Sequence, residues 1–184
     1  MKTLQSESEH GGPPESGAVQ ELRLDTQMIE LLGRSRLIDQ LLRAGLEVAL
    51  PQRDRGVDLI AYADLSAQVD RFSARPIQMK ASSKRAFSLN QKYARISDLI
   101  MAYVWHVDAP EQTVIHALTY EQALSVAERA GWTKTASWAT GSYSTSRPSK
   151  RIEALLEPFR MTPTKWRELV VGGASRNDGA EPGR

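Results

Sequence analysis

Two short apolar runs constrain this chain more than any other feature. Residues 57–63 (Val-Asp-Leu-Ile-Ala-Tyr-Ala) and roughly 72–81 read as β-strands, yet the first carries Asp58 and the second carries Gln78 and Lys80. A strand interior rarely holds a carboxylate, an amide and an ammonium unless those groups meet partners. Side chains two apart on a strand share a face, so Gln78 and Lys80 emerge together. A hairpin between the two runs brings Asp58 beside them, which makes them neighbours in one sheet.

The other segments arrange themselves around that pair. Over residues 20–44, Leu24, Met28, Leu31, Leu32, Leu37, Ile38, Leu41 and Leu42 recur at helical spacing, and Gly45 supplies a C-cap. A strand over 46–50 ends at Pro51, the polar turn 52–56 follows, and 64–71 is a loop. Pro76 suggests an edge or a bend in the third strand. Residues 82–95 are polar and basic, either loop or short helix. The run 99–107 reads as a central strand, with a buried helix as the alternative, and 113–118 pairs with it through a turn at 108–112. Thr119 caps a helix over 121–130 that Gly131 closes. A helix over 150–159 and a last turn or helix over 164–171 complete the order. The expected fold is an α/β sandwich in which helices flank a mixed central β-sheet.

The chain has 184 residues, enough for one domain, expected over 20–171. The flanks 1–19 and 172–184 are rich in Ser, Gly, Pro and Glu and read as disordered tails. Cysteine is absent, which excludes disulfides, thiolate zinc sites and a cysteine nucleophile. His10, His106 and His116 are scattered without ligand spacing, so a structural zinc site is not expected. No basic-then-apolar leader opens the chain, and no apolar run is long enough to span a bilayer, so the cytoplasm is the default location and no membrane partner is expected. The net charge is only +2, but its distribution is uneven. Residues 71–97 hold seven basic residues and no acidic one, and residues 130–152 are again acid-free, with Trp132, Trp138 and Tyr143 interleaved. Such stretches suit a polyanionic partner.

One carboxylate, one amide oxygen and one ammonium at a strand edge match the needs of metal-assisted phosphodiester hydrolysis. With Gly56-Val57-Asp58-Leu59-Ile60 on one strand and Gln78-Met79-Lys80 on the next, behind an amphipathic helix, the chain resembles the PD-(D/E)XK nuclease-like superfamily in its Gln-x-Lys variant. The resemblance spans residues 20–118 and implies a restriction-endonuclease-like core: helix, three-stranded meander, helix, strand. It implies a metal-dependent DNA endonuclease using Mg²⁺ or Mn²⁺. Asp58 would be the principal ligand, with the Gln78 side-chain oxygen and the Met79 carbonyl beside it. Lys80 would orient or help deprotonate the attacking water and stabilise charge on the phosphate. The superfamily's helix acid falls at Arg34 in this chain, while Glu30 lies one turn earlier on the same face and is the substitute ligand. Lys84, Arg85, Gln91, Lys92, Arg95 and Arg34 would flank the DNA backbone. Cutting both strands of a duplex is compatible with a homodimer.

Plainer readings stand beside these. Asp58 and Lys80 would form a salt bridge in a nuclease fold that no longer binds metal, leaving a silent DNA-binding or regulatory protein. Glu30 would pair with Arg34 at i, i+4 as a solvated helix face. Trp132, Trp138 and Tyr143 would be core or interface residues rather than base-stacking platforms, and His106 a structural residue on the strand face opposite Trp105. An interaction module for an acidic protein is a third function.

Overall fold

The computed structural model describes residues 24–53, 55–63 and 72–172. The expected tails lie outside these residues apart from Gly172, as do the whole of the expected loop at 64–71 and the first four residues of the expected helix. Helix α1 runs Thr26–Arg43 and begins where the Asp25 side chain accepts the Met28 N–H at 2.8 Å. It ends as the sequence predicts. Gly45, at φ +70°, donates to Leu42 O at 2.9 Å, and Leu46 donates to Leu41 O at 3.1 Å. These paired bonds satisfy two of the last helix carbonyls in a Schellman arrangement.

Strands β1 (Glu47–Ala49), β2 (Leu59–Tyr62) and β3 (Ala74–Ser82) form an antiparallel meander. The chain then makes β4 (Phe87–Asn90), a 3-10 turn over Gln91–Arg95, and β5 (Ile100–Trp105), which pairs parallel to β3. Strand β6 (Val114–Thr119) returns antiparallel to β5, completing a five-stranded mixed sheet of order β1-β2-β3-β5-β6. Helix α2 (Tyr120–Arg129) follows directly, capped by a reciprocal Thr119–Gln122 box. The chain continues through α3 (Ala136–Ala139), β7 (Ser142–Thr145), α4 (Lys150–Leu156) and α5 (Pro163–Val171).

All six residues of β5 are buried, as a central strand requires, and they alternate between two cores. Ile100, Ala102 and Val104 join Leu59, Ala61, Ile77 and Met79 on one face, covered by α1 and α5 through Leu37, Leu41, Trp166 and Val170. Met101, Tyr103 and Trp105 face the other core with Phe87, Leu89, Tyr93, Trp132, Ile152 and Leu156 and the apolar side of α2. Helix α1 sits unusually close to β3, since a Cβ on Gly33 would lie 2.4 Å from the Ala81 Cβ. Glycine inside a helix costs about 1 kcal/mol, and burial of Leu37 and Leu41 at about 1.5–3 kcal/mol each outweighs that.

Several local features differ from expectation. Strand β4 occupies part of the segment read as loop or short helix, and β7 forms within the Ser/Thr-rich stretch; the two pair as a separate two-stranded ribbon. The helix expected over 150–159 ends at Leu156 and tightens into a 3-10 turn over Glu157–Phe159, where Pro158 has no N–H to continue the ladder. His106 lies just past β5 rather than on it, at φ +57°, and its carbonyl accepts from Ala109 N and Thr113 Oγ1. Pro76 sits in β3 opposite Ile60, one residue before the pairing with β5 begins at Ile77. Its missing N–H therefore faces the side of β3 that has no partner yet. Among the described residues, no helix is long and apolar enough to cross a membrane.

Candidate active site

Strands β2 and β3 part company at one end, and the candidate site is the fork. Their regular ladder ends at Leu59 opposite Ile77, and Asp58 extends it by one rung, its N–H donating to Ile77 O at 2.8 Å. Beyond that point, among the described residues, no main-chain carbonyl takes the Met79 N–H from the β2 side. The Asp58 carboxylate takes over: Oδ2 accepts the Met79 N–H at 2.7 Å and the Gln78 Nε2 at 2.5 Å. The same Gln78 amide donates to the Met79 carbonyl at 3.1 Å. Gln78 is 5% exposed, so these bonds satisfy a buried amide. Asp58, Gln78 and Met79 thus meet at one point, as their sequence positions suggested.

Lys80, two residues on, extends its ammonium to the Tyr93 hydroxyl at 3.3 Å and lies 5.5 Å from the Tyr93 ring centroid. Among the described residues it makes no ion pair, so the salt-bridge reading of Lys80 is not what forms. Tyr93 is buried and packs against Gly56, where a Cβ would approach its ring edge to 3.3 Å. The glycine, at φ +95°, lets the turn before Asp58 close down on the tyrosine. Beneath them Tyr103, paired with Lys80 across the β3–β5 ladder, donates its hydroxyl to Ser88 O at 2.7 Å. Burial, reinforced by Tyr93 and Tyr120, pushes that phenol well above its usual range, so it remains a fixed donor tying β5 to β4.

A cleft of about 290 Å³ opens over the fork, lined by Thr26, Ile29, Glu30, Asp58, Gln78, Met79, Lys80 and Ala81. Glu30 therefore does reach the cleft, from the first turns of α1. It is also paired with Arg34 at 2.5 Å, with side chains 55% and 29% exposed. Such an exposed i, i+4 pair contributes about 0.3–0.5 kcal/mol, which leaves the carboxylate easy to recruit. The pairing with Arg34 is the solvated-face reading of Glu30, here at the rim of the cleft.

The basic residues divide. Lys92 also lies over the Tyr93 ring, 4.9 Å from its centroid, and with Arg55 and Arg95 it lines a neighbouring depression of about 420 Å³. Arg85 instead pairs with Glu153 of α4 at 2.7 Å and lines a separate hollow with Trp105, His106 and His116. Gln91 donates to Trp138 O at 2.8 Å, holding the 3-10 turn against α3. Lys84 is exposed in the turn after β3, its N–H donating to Ser82 Oγ. Trp132 is buried in the second core, with the Tyr143 ring 4.2 Å away, so both follow the core reading. Sequence reasoning gave Tyr93 no role toward Lys80 and none to Arg55. Neither had a signal: Tyr93 follows Lys92 directly in the sequence, but nothing there pairs it with Lys80, thirteen residues earlier.

No family model matches the chain, and no curated protein does. Among solved structures, a bacterial homing endonuclease, I-Ssp6803I, is similar with a TM-score of 0.45 and 15% identity, over 85% of this chain and 99% of that one.

Proposed function

We propose that the protein is a metal-dependent endonuclease that hydrolyses phosphodiester bonds of DNA at the β2–β3 fork. The observation that carries this reading is that the Gln78 amide lies 2.5 Å from Asp58 Oδ2 and 3.1 Å from the Met79 carbonyl, with Lys80 on the same strand. Neighbouring ligands of a small hard cation bound at about 2.0–2.1 Å are about 3 Å apart, so the donor set fits Mg²⁺ or Mn²⁺. The Gln78 amide presents Nε2 to both oxygens; turned over, it would present Oε1 at the same place. Asp58, Gln78 Oε1 and the Met79 carbonyl would hold the cation, and Glu30 would join them by releasing Arg34. A cation so held lowers the pKa of bound water and neutralises charge on the reacting phosphate.

The chain's own residues supply the rest. Lys80 places a compact positive charge at a phosphate oxygen, and the Tyr93 hydroxyl holds that ammonium over the cleft. The main-chain bond from Met79 to Asp58 fixes the carboxylate, so little reorganisation accompanies binding. Lys92, Arg95 and Arg55 carry the flanking backbone, with Lys84 beyond them.

A second reading, a silent nuclease-fold DNA-binding protein, is favoured by one observation. Among the described residues no three His, Cys, Asp or Glu side chains gather to hold a metal, and Gln78 hydrogen-bonds Asp58 as a donor. Incubating the full chain, Asp58→Asn and Lys80→Ala with supercoiled, linear and branched DNA, with and without Mn²⁺, separates the two. The enzyme nicks only with cation; Asp58→Asn loses the cation effect and Lys80→Ala slows cleavage about 10²–10³-fold. Nicking unchanged in both variants would overturn the site. Salt-sensitive DNA retention with no cleavage on any substrate identifies the silent binder.

A further inference from the structure

We propose that the β4–β7 ribbon is the platform on which the sugar–phosphate backbone of duplex DNA is seated beside Lys80. The inference rests on the nuclease-fold reading above and deepens it by naming the surface and the strandedness of the substrate.

The ribbon has two unlike faces. Phe87 and Leu89 are buried, with Phe87 4.7 Å from the Tyr103 ring and 5.1 Å from Trp132, and Tyr143 covers Trp132 from the partner strand. Alternation places Ser88 and Asn90, opposite Ser144 and Ser142, on the other face. That face is built entirely of small hydroxyl and amide groups, with no acid and no bulk. Together with Lys80, Lys92, Tyr93, Leu89 and Tyr143 it borders a depression of about 210 Å³. Asn90 already uses its side-chain oxygen to accept the Lys92 N–H, which leaves the amide end as its donor.

The charge around this face is uncompensated. Among the described residues Arg55, Lys80, Lys92 and Arg95 make no ion pairs, whereas Arg34, Arg43, Arg75, Arg85 and Arg160 do. Four unneutralised cations beside a sheet of hydroxyl donors complement a phosphate backbone, the group that such donors contact in nucleic-acid complexes.

Strandedness follows from the aromatics. Proteins that hold single strands without sequence preference offer open aromatic faces on which bases stack. Here the Tyr93 ring is 4% exposed and flanked by the Lys80 and Lys92 ammoniums, and Tyr143 is taken up by Trp132. Tyr143 borders the ribbon's depression half-buried, but its ring lies against Trp132, so both rings there are already engaged and the surface holds backbone whose bases are already stacked, that is, duplex. A two-stranded ribbon is also narrow enough for the major groove.

The test is equilibrium binding of the full chain to a labelled duplex and to one of its strands, without divalent cation, so that cleavage plays no part. Wild type is expected to prefer the duplex. Ser142→Glu combined with Ser144→Glu should weaken duplex binding about tenfold or more. Ser144→Lys should tighten it and steepen the dependence on log salt by about 0.9. Both substituted positions are exposed, and an unchanged unfolding midpoint verifies the fold. If wild type binds duplex while both ribbon variants bind identically to it, the platform is wrong and the nuclease reading stands. Single strand bound as tightly as duplex overturns the strandedness. No binding of any DNA by wild type overturns the reading and the inference together.

Discussion

Lys80 and Lys92 share one phenol: their ammoniums lie 5.5 Å and 4.9 Å from the Tyr93 centroid, and only Lys80 reaches its hydroxyl. The ring partly offsets the repulsion between two cations at a site built for an anion. The hydroxyl does more specific work, because it sets where the Lys80 charge rests. Tyr93→Phe keeps the ring and the packing on Gly56 but removes that bond, typically about 0.5–1.5 kcal/mol. Single-turnover cleavage by Tyr93→Phe is therefore expected to slow about three- to tenfold, with duplex binding unchanged. A variant with the wild-type rate, or one that loses rate and duplex binding together, would remove Tyr93 from the positioning of Lys80. Asp58, Gln78 and Lys80 were legible in the sequence because polar groups inside apolar runs are anomalies in one dimension. Tyr93 was not, because its meaning depends on which lysine it touches, and that is set by how the 3-10 turn packs.

At the scale of elements, legibility followed amphipathic contrast. Helix α1, strands β2, β3, β5 and β6, and helix α2 carry apolar patterns long enough to declare themselves, and β5 between two cores needs every position apolar. Strands β4 and β7 are four residues each, and their outer face is serine and asparagine, the vocabulary of turns. Only the alternation Phe-Ser-Leu-Asn and Ser-Tyr-Ser-Thr hinted at them, too short a period-two signal without the partner strand. The contact of α1 with β3 was equally invisible, since a helical glycine reads as a weak point rather than a close approach. Gly33→Ala tests it. In a free helix this change stabilises by about 1 kcal/mol. Here the new methyl would meet the Ala81 Cβ at 2.4 Å, and overpacking of this kind costs about 1–3 kcal/mol. Denaturant unfolding is expected to show net destabilisation, and a stabilised variant would mean that α1 lifts freely from β3.

For the molecule as a whole, acid sensitivity should centre on His116. It is 2% exposed on β6, its ring lies 4.5 Å from Trp105, and among the described residues its Nδ1 has no hydrogen-bond partner. Burial lowers its pKa to about 4, with Glu157 opposing the shift and Arg160 adding to it. The unfolded chain binds this proton near 6.5, so between about pH 6.5 and 4 it takes up a proton that the folded chain refuses. The stabilisation is complete above that window and is lost as pH falls through it, on the order of 3 kcal/mol. Urea midpoints measured across the window should fall for wild type and flatten for His116→Phe; an identical slope in the variant would place the acid sensitivity elsewhere. Because β6 is tied through His116 to Arg160 and through Met161 to the segment before α5, this loss is expected to unfold both cores together.

The parting of β2 and β3 has a consequence for how chains of this shape are interpreted. Where the ladder stops, the Asp58 carboxylate stands in for a missing strand and receives the Met79 N–H that would otherwise be orphaned. Leaving such a buried donor unmet costs about 1–3 kcal/mol, so the architecture itself favours an acceptor at this position whether or not any chemistry is performed. The aspartate is thus a mason's keystone as much as a reagent, and its presence in a similar fold does not distinguish a working blade from a blunt one. Lys80 carries that distinction, since among the described residues its ammonium meets only a hydroxyl and a ring, and no ion pair there depends on its charge.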